Sequence, residues 1–225
     1  MDIFICIGQS NMAGRAEVPE EETFALKRVF LLNNDDEWEN ASNPLNKYST
    51  VRKNMSMQHL GPTWSFAKKM SHEFPKKRFG LVVNAKGGSA IEEWKKGSHF
   101  YNECLIRALK AQKTGTIKAI LWHQGEANQK NPEVYSGKFD SLVFNLRKDL
   151  GLPNLPVVAG EIGKWRESAR EINAVLRSLP SQVSHVGVAL ADDLVHKGDN
   201  SHFDAASQLK LGERYANKVI EMAYK

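Results

Sequence analysis

The chain opens Met1-Asp2-Ile3-Phe4-Ile5-Cys6-Ile7-Gly8-Gln9-Ser10-Asn11-Met12-Ala13-Gly14, and the first half of that stretch decides the fold. Residues 3–7 are apolar at every position. A strand with one wet face alternates apolar and polar residues, whereas one that is apolar throughout is covered on both faces, as in a parallel sheet between helices. Cys6 then reads as a small core residue. Gly8 permits a tight turn at the strand's end, which leaves Ser10 exposed just beyond it.

The same pattern recurs along the chain. Further strands are expected at 28–32, 79–84, 117–123, 155–160 and 186–191. Helix-length amphipathic segments lie between them at 64–74, 100–112, 139–150, 167–179 and 205–223. In the third of these, Phe139, Leu142, Val143, Leu146 and Leu150 fall on one helical face, with Gly151 as the stop. In the last, Leu211, Tyr215, Val219 and Met222 turn inward behind Asp204 as N-cap. Strand–helix alternation throughout predicts one α/β domain over residues 1–225 with a mainly parallel sheet. The polar stretch 33–60 breaks the pattern; a loop of that length is usually functional or mobile.

Composition narrows the function classes. Hydrophobic residues are 41% and charged residues 25% of the 225, which fits a globular chain and excludes disorder. No apolar run approaches the ~20 residues of a membrane-spanning helix. The net charge of +5 is scattered rather than gathered into a basic face, so neither nucleic acid nor a membrane is an expected partner. Two cysteines with no C-x-x-C give no disulfide framework. The compartment stays open: cytoplasmic if the chain is complete, secreted if a leader precedes it. The oligomeric state is equally open.

Sites in parallel α/β sheets form beyond the carboxyl ends of strands. Four such ends carry polar, glycine-containing turns: Gly8 to Arg15, Ala85 to Ser89, His123 to Asn128, and Asp192 to Asp204. Ser10 is a nucleophile only if a base takes its proton, and otherwise a capping serine. Asp199 three residues before His202 can hold Nδ1–H and free Nε2 as base, or can simply shape a surface turn. Gly87-Gly88 can bring backbone amides to a ligand, and Gln124 can add a side-chain amide. His123 and Glu126 are close in sequence, yet no H-x-H or H-E-x-x-H occurs, so no metal site is expected. Neither glycine-rich nucleotide motif is present.

Taken together and in order, Gly8-Gln9-Ser10-Asn11-Met12-Ala13-Gly14, Gly87-Gly88-Ser89-x-Ile91-x-x-Trp94, Trp122-His123-Gln124-Gly125-Glu126 and Asp199-Asn200-x-His202-Phe203-Asp204 resemble the SGNH-hydrolase superfamily. The closest branch is the sialate O-acetylesterase and acetylxylan esterase group, the sixth carbohydrate esterase family, and the likeness spans almost the whole chain. The resemblance implies a three-layer α/β/α sandwich around a five-stranded or slightly larger, mainly parallel sheet in flavodoxin-like order. It implies Ser10 as nucleophile, His202 as base and Asp199 as its orienting carboxylate, with oxyanion donors from Ser10, Gly88 and Gln124. Asn128 is a second candidate for the side-chain donor, and Glu126 an alternative to Asp199. Gln9 and Asn11 are expected to support the site. Arg15, Trp94 and the 33–60 stretch are candidates to shape a sugar site, Trp94 being as readily a core residue. The implied substrate is an acetylated carbohydrate, with no cofactor; other small esters, or carbohydrate binding without turnover, are the alternatives.

Overall fold

The structure is a computed structural model that describes residues 1–52 and 54–224. Every apolar run becomes a strand: β1 (Asp2–Gly8), β2 (Val29–Leu32), β4 (Phe79–Ala85), β5 (Thr116–His123), β6 (Val157–Gly160) and β7 (Val186–Ala189). One short strand was not expected, β3 (Trp38–Asn40). All seven form one sheet in the order β3-β2-β4-β1-β5-β6-β7. Pairings are parallel except β2 with β3. The run β4-β1-β5-β6-β7 has the flavodoxin-like order, extended at the β4 edge by β2 and β3.

The continuous apolar strands are covered on both sides, as their composition requires. In β1, Ile3, Ile5 and Ile7 join one core, while Phe4 and Cys6 join the other, following the two-residue side-chain period. The first core is completed by α3 (His99–Gln112), α4 (Tyr135–Leu150) and α5 (Ala169–Gln182). The second is completed by α2 (Thr63–Glu73) and α6 (Ala205–Ala223). The result is the expected three layers. Asp204 caps α6, accepting from Ser207 N–H at 2.7 Å. A single short helix, α1 (Ser10–Ala13), follows β1 directly.

Two features position the site. Gly8 pairs with Ala85 on one side and His123 on the other, so three strand ends finish level and their turns emerge side by side. Gly8 has φ of 135°, and a β-carbon there would lie 2.1 Å from the His123 carbonyl oxygen, so no other residue fits. The 33–60 stretch, of which residue 53 lies outside the described residues, is anchored: buried Asn46 accepts from Ala85 N–H at 2.9 Å and donates to the Ala85 carbonyl at 3.1 Å. Among the described residues no helix is long and apolar enough to cross a membrane.

Candidate active site

Ser10 begins α1 at the end of the central strand β1. Its side chain shares a cleft of about 130 Å³ with His202; Gln9, Glu126, Trp165 and Arg166 are also in the lining. His202 comes from the loop between β7 and α6. Asn200 takes φ of 52°, a left-handed turn conformation that asparagine tolerates. Asp199 Oδ2 lies 2.7 Å from His202 Nδ1, and Oδ1 accepts the backbone N–H groups of Ser201 and His202 at 2.9 and 2.8 Å. Partial burial opposes the charge on Asp199. The bonds from His202 and from those backbone amides outweigh it, lowering the carboxyl to about 2.

Glu126 stands elsewhere. Its Oε1 accepts from Asn11 Nδ2 at 2.6 Å and lies 3.7 Å from His123 Nε2, an electrostatic contact too long for a hydrogen bond. Burial pushes its carboxyl up, yet His123 and Asn11 together bring it below its ordinary value. His123 is fully buried, and its Nδ1 faces the Tyr215 hydroxyl at 3.1 Å. That hydroxyl donates to the Trp122 carbonyl, so its oxygen accepts from Nδ1–H.

The turn after β4 puts Gly88 at φ of 77°, which glycine adopts without strain. The N–H groups of Ser10, Gly87 and Gly88 make no hydrogen bond among the described residues. Gln124 is fully buried and, like Gly87 and Gly88, is not in the cleft lining. The two hydrogens of its Nε2 are shared among Gln9 Oε1, the Ser89 carbonyl and Asn128 Oδ1, at 3.1, 3.2 and 2.7 Å. It therefore ties the residue before Ser10 to the residue after Gly88. Asn128 is likewise committed, accepting Ile91 N–H and donating to Glu92.

Arg15 is buried, donates to the Gly14 carbonyl and lies against Gly87. It has no carboxylate partner among the described residues, and burial lowers its pKa. Trp94 is fully buried, donating to Ser89 Oγ and packing edge-on to Trp122. It belongs to the core and does not reach the cleft.

The family model for "Carbohydrate esterase, sialic acid-specific acetylesterase" matches residues 1–221. The chain belongs to that family. An Arabidopsis thaliana protein named "Probable carbohydrate esterase At4g34215" is 34% identical over 97% of this chain and 90% of its own. The X-ray structure of that Arabidopsis protein superposes with a TM-score of 0.89 at 31% identity, covering 98% of both chains. A carbohydrate acetylesterase from Xanthomonas citri shares the fold, with a TM-score of 0.74 at 20% identity over 99% of this chain and 57% of that one. This protein is thus a carbohydrate esterase.

In this esterase the turn after β6 also reaches the site, and its residues were not among those expected from sequence. Trp165 and Arg166 line the Ser10 cleft and an adjoining groove of about 520 Å³. Trp165 packs edge-on to Phe203, and Arg166 Nη2 donates to Ser201 Oγ at 2.7 Å. The rule that pointed to the other four turns, sites beyond strand carboxyl ends, applied here too.

Proposed function

We propose that this esterase removes O-acetyl groups from carbohydrates, of acetylxylan or sialate type, with residues 1–225 acting as one catalytic domain. The observation that carries the reading is the Asp199–His202 bond at 2.7 Å, in a loop that delivers His202 to the cleft of Ser10. Ser10 Oγ attacks the acetyl carbonyl carbon while His202 Nε2 takes its proton. The carbonyl oxygen becomes an oxyanion facing the free N–H groups of Ser10 and Gly88. Collapse breaks the bond to the sugar oxygen, which leaves with the proton held by His202. Water then attacks the acetyl-Ser10 ester, gives its proton to His202, and acetate departs as Ser10 regains its hydrogen.

Geometry also bears on the substrate. At about 30 Å³ per water in the liquid, the cleft of about 130 Å³ takes an acetyl group and little more. The adjoining groove leaves room for the sugar, with Trp165 as an apolar platform and Arg166 as a donor. In this reading Gln124 acts indirectly, by holding Gln9 and Ser89 so that the two oxyanion donors converge. The test is acetate release from a panel of acetylated xylan, sialic acid and peptidoglycan. Activity on at least one, abolished in Ser10→Ala, supports the reading; release only from lipid or thioester substrates refutes the carbohydrate assignment.

A further inference from the structure

We propose that Asn11 is a positioning residue that sets the separation of Ser10 and His202, and that Glu126 works through it; this rests on the Ser10–His202 reading above. Asn11 follows Ser10 and is fully buried. Its side-chain amide is bonded on four sides. Nδ2 donates to Glu126 Oε1 at 2.6 Å and to the Ser201 carbonyl at 3.3 Å. Oδ1 accepts Phe203 N–H at 3.2 Å and Gln208 Nε2 at 3.3 Å. Two donors and two acceptors are all that an asparagine amide has.

Ser201 and Phe203 are the residues on either side of His202. One side chain, next to the nucleophile, therefore grips both backbone neighbours of the base. The sheet alone does not supply this. Ser10 leaves β1, His202 follows β7, and β5 and β6 stand between those two strands. The His202 loop must reach across the sheet end to meet Ser10, and the Asn11 amide fixes where it stops. Gln208, on α6, holds the far side of the same amide and also donates to the Asn11 carbonyl at 3.3 Å.

An asparagine amide can be turned end for end, and only its partners decide which way it points. Phe203 N–H needs the oxygen, and the Ser201 carbonyl needs the NH₂. A carboxylate accepts and never donates, so Glu126 adds a fixed preference for the same orientation that Phe203 N–H and the Ser201 carbonyl require. Glutamine in its place would fit the space but could face either end of the amide. This gives a mostly buried carboxylate a task that neither packing nor the His202–Asp199 pair accounts for. The short bond from Asn11 Nδ2 to Glu126 Oε1 in turn favours the ionised carboxylate.

The test is steady-state hydrolysis of p-nitrophenyl acetate by the full chain. Asn11→Ala is expected to lower kcat about 10²-fold with KM within about threefold, the scale of loss from misplacing a group by about 1 Å. Glu126→Gln is expected to lower kcat about tenfold, and the double variant to be no slower than Asn11→Ala alone, because one acts through the other. In a His202→Ala background no base remains to be placed, so adding Asn11→Ala should change the residual rate by less than about twofold. A purely structural residue would slow both backgrounds alike. The proposal is overturned if Asn11→Ala keeps kcat within about threefold of wild type, or slows the His202→Ala enzyme as much as the wild type. Additive losses in the double variant would remove Glu126 from the chain of action. If thermal melting shows that Asn11→Ala does not fold, Glu126→Gln carries the test: unchanged kcat at unchanged Tm overturns the proposal. Full activity in His202→Ala would instead sink the reading on which it rests.

Discussion

Asp199 Oδ2 lies 2.7 Å from His202 Nδ1, in the same short loop, while Glu126 is engaged with Asn11 and His123. The two carboxylates that sequence left in competition therefore have separate partners. Asp199→Asn should cut turnover by up to ~10⁴ with the fold intact, since an amide can favour the wrong imidazole tautomer. Glu126→Gln should lose far less. If the larger loss belongs to Glu126→Gln, with Asp199→Asn within about tenfold of wild type, Asp199 is not the orienting group.

The nucleophile can be marked directly. A fluorophosphonate or sulfonyl fluoride should add once per chain, at Ser10, and intact-mass analysis followed by peptide mapping will locate it. Ser10→Ala should give no adduct. His202→Ala should slow the addition, because the unassisted hydroxyl is a weak nucleophile. An adduct elsewhere that abolishes activity would reject Ser10.

Stability at acid pH follows from Asp199. Its carboxyl titrates at about 2 in the folded chain, against an ordinary 3.8. The unfolded state thus binds the proton first as pH falls. The stabilisation is present above pH ~4 and lost progressively towards pH ~2. Because the Asp199 side chain is 36% exposed, solvent screens the pair and the effect is modest. The Tm advantage of wild type over Asp199→Asn should be constant above pH ~4 and shrink below it. A gap that widens on acidification contradicts this sign.

Gln124 is expected to matter without touching substrate. Gln124→Ala frees Gln9 and Ser89 from each other, and so loosens the Ser10 and Gly88 amides. Turnover should fall by roughly 10² with little change in KM, as for other displaced electrostatic donors. A rise in KM at constant kcat would mean that Gln124 contributes to binding instead.

Trp165 separates sugar binding from chemistry. Trp165→Ala should raise KM for an acetylated glycan several-fold and leave p-nitrophenyl acetate turnover within about twofold, the pattern of lost ground-state binding. Equal loss on both substrates would place Trp165 in the framework of the His202 loop, through its contact with Phe203.

Much of this was legible in the sequence because it is local. Continuous apolar runs give buried parallel strands, and Gly8, Gly88 and Asn200 mark turns whose backbone demands are visible in one residue. β3 was not legible: Trp38–Asn40 is three residues long and partly exposed, with no hydrophobic period to detect. The work of Gln124 and Asn11 was also beyond reach. Both depend on which strand ends lie side by side, and the apolar runs themselves carry no order. Trp94 could be read as core or cleft until the sheet placed it against Trp122.

The two halves of the proposed machinery hang from unequal supports. Ser10 follows β1, at the centre of the sheet, whereas His202 follows β7, one of its two edge strands. Outer strands open in local fluctuations that leave the centre closed. Hydrolysis would then stop when one margin of the molecule frays, well before the body melts, and resume when the margin re-pairs. Catalysis in such a protein reports the integrity of the border that carries its base.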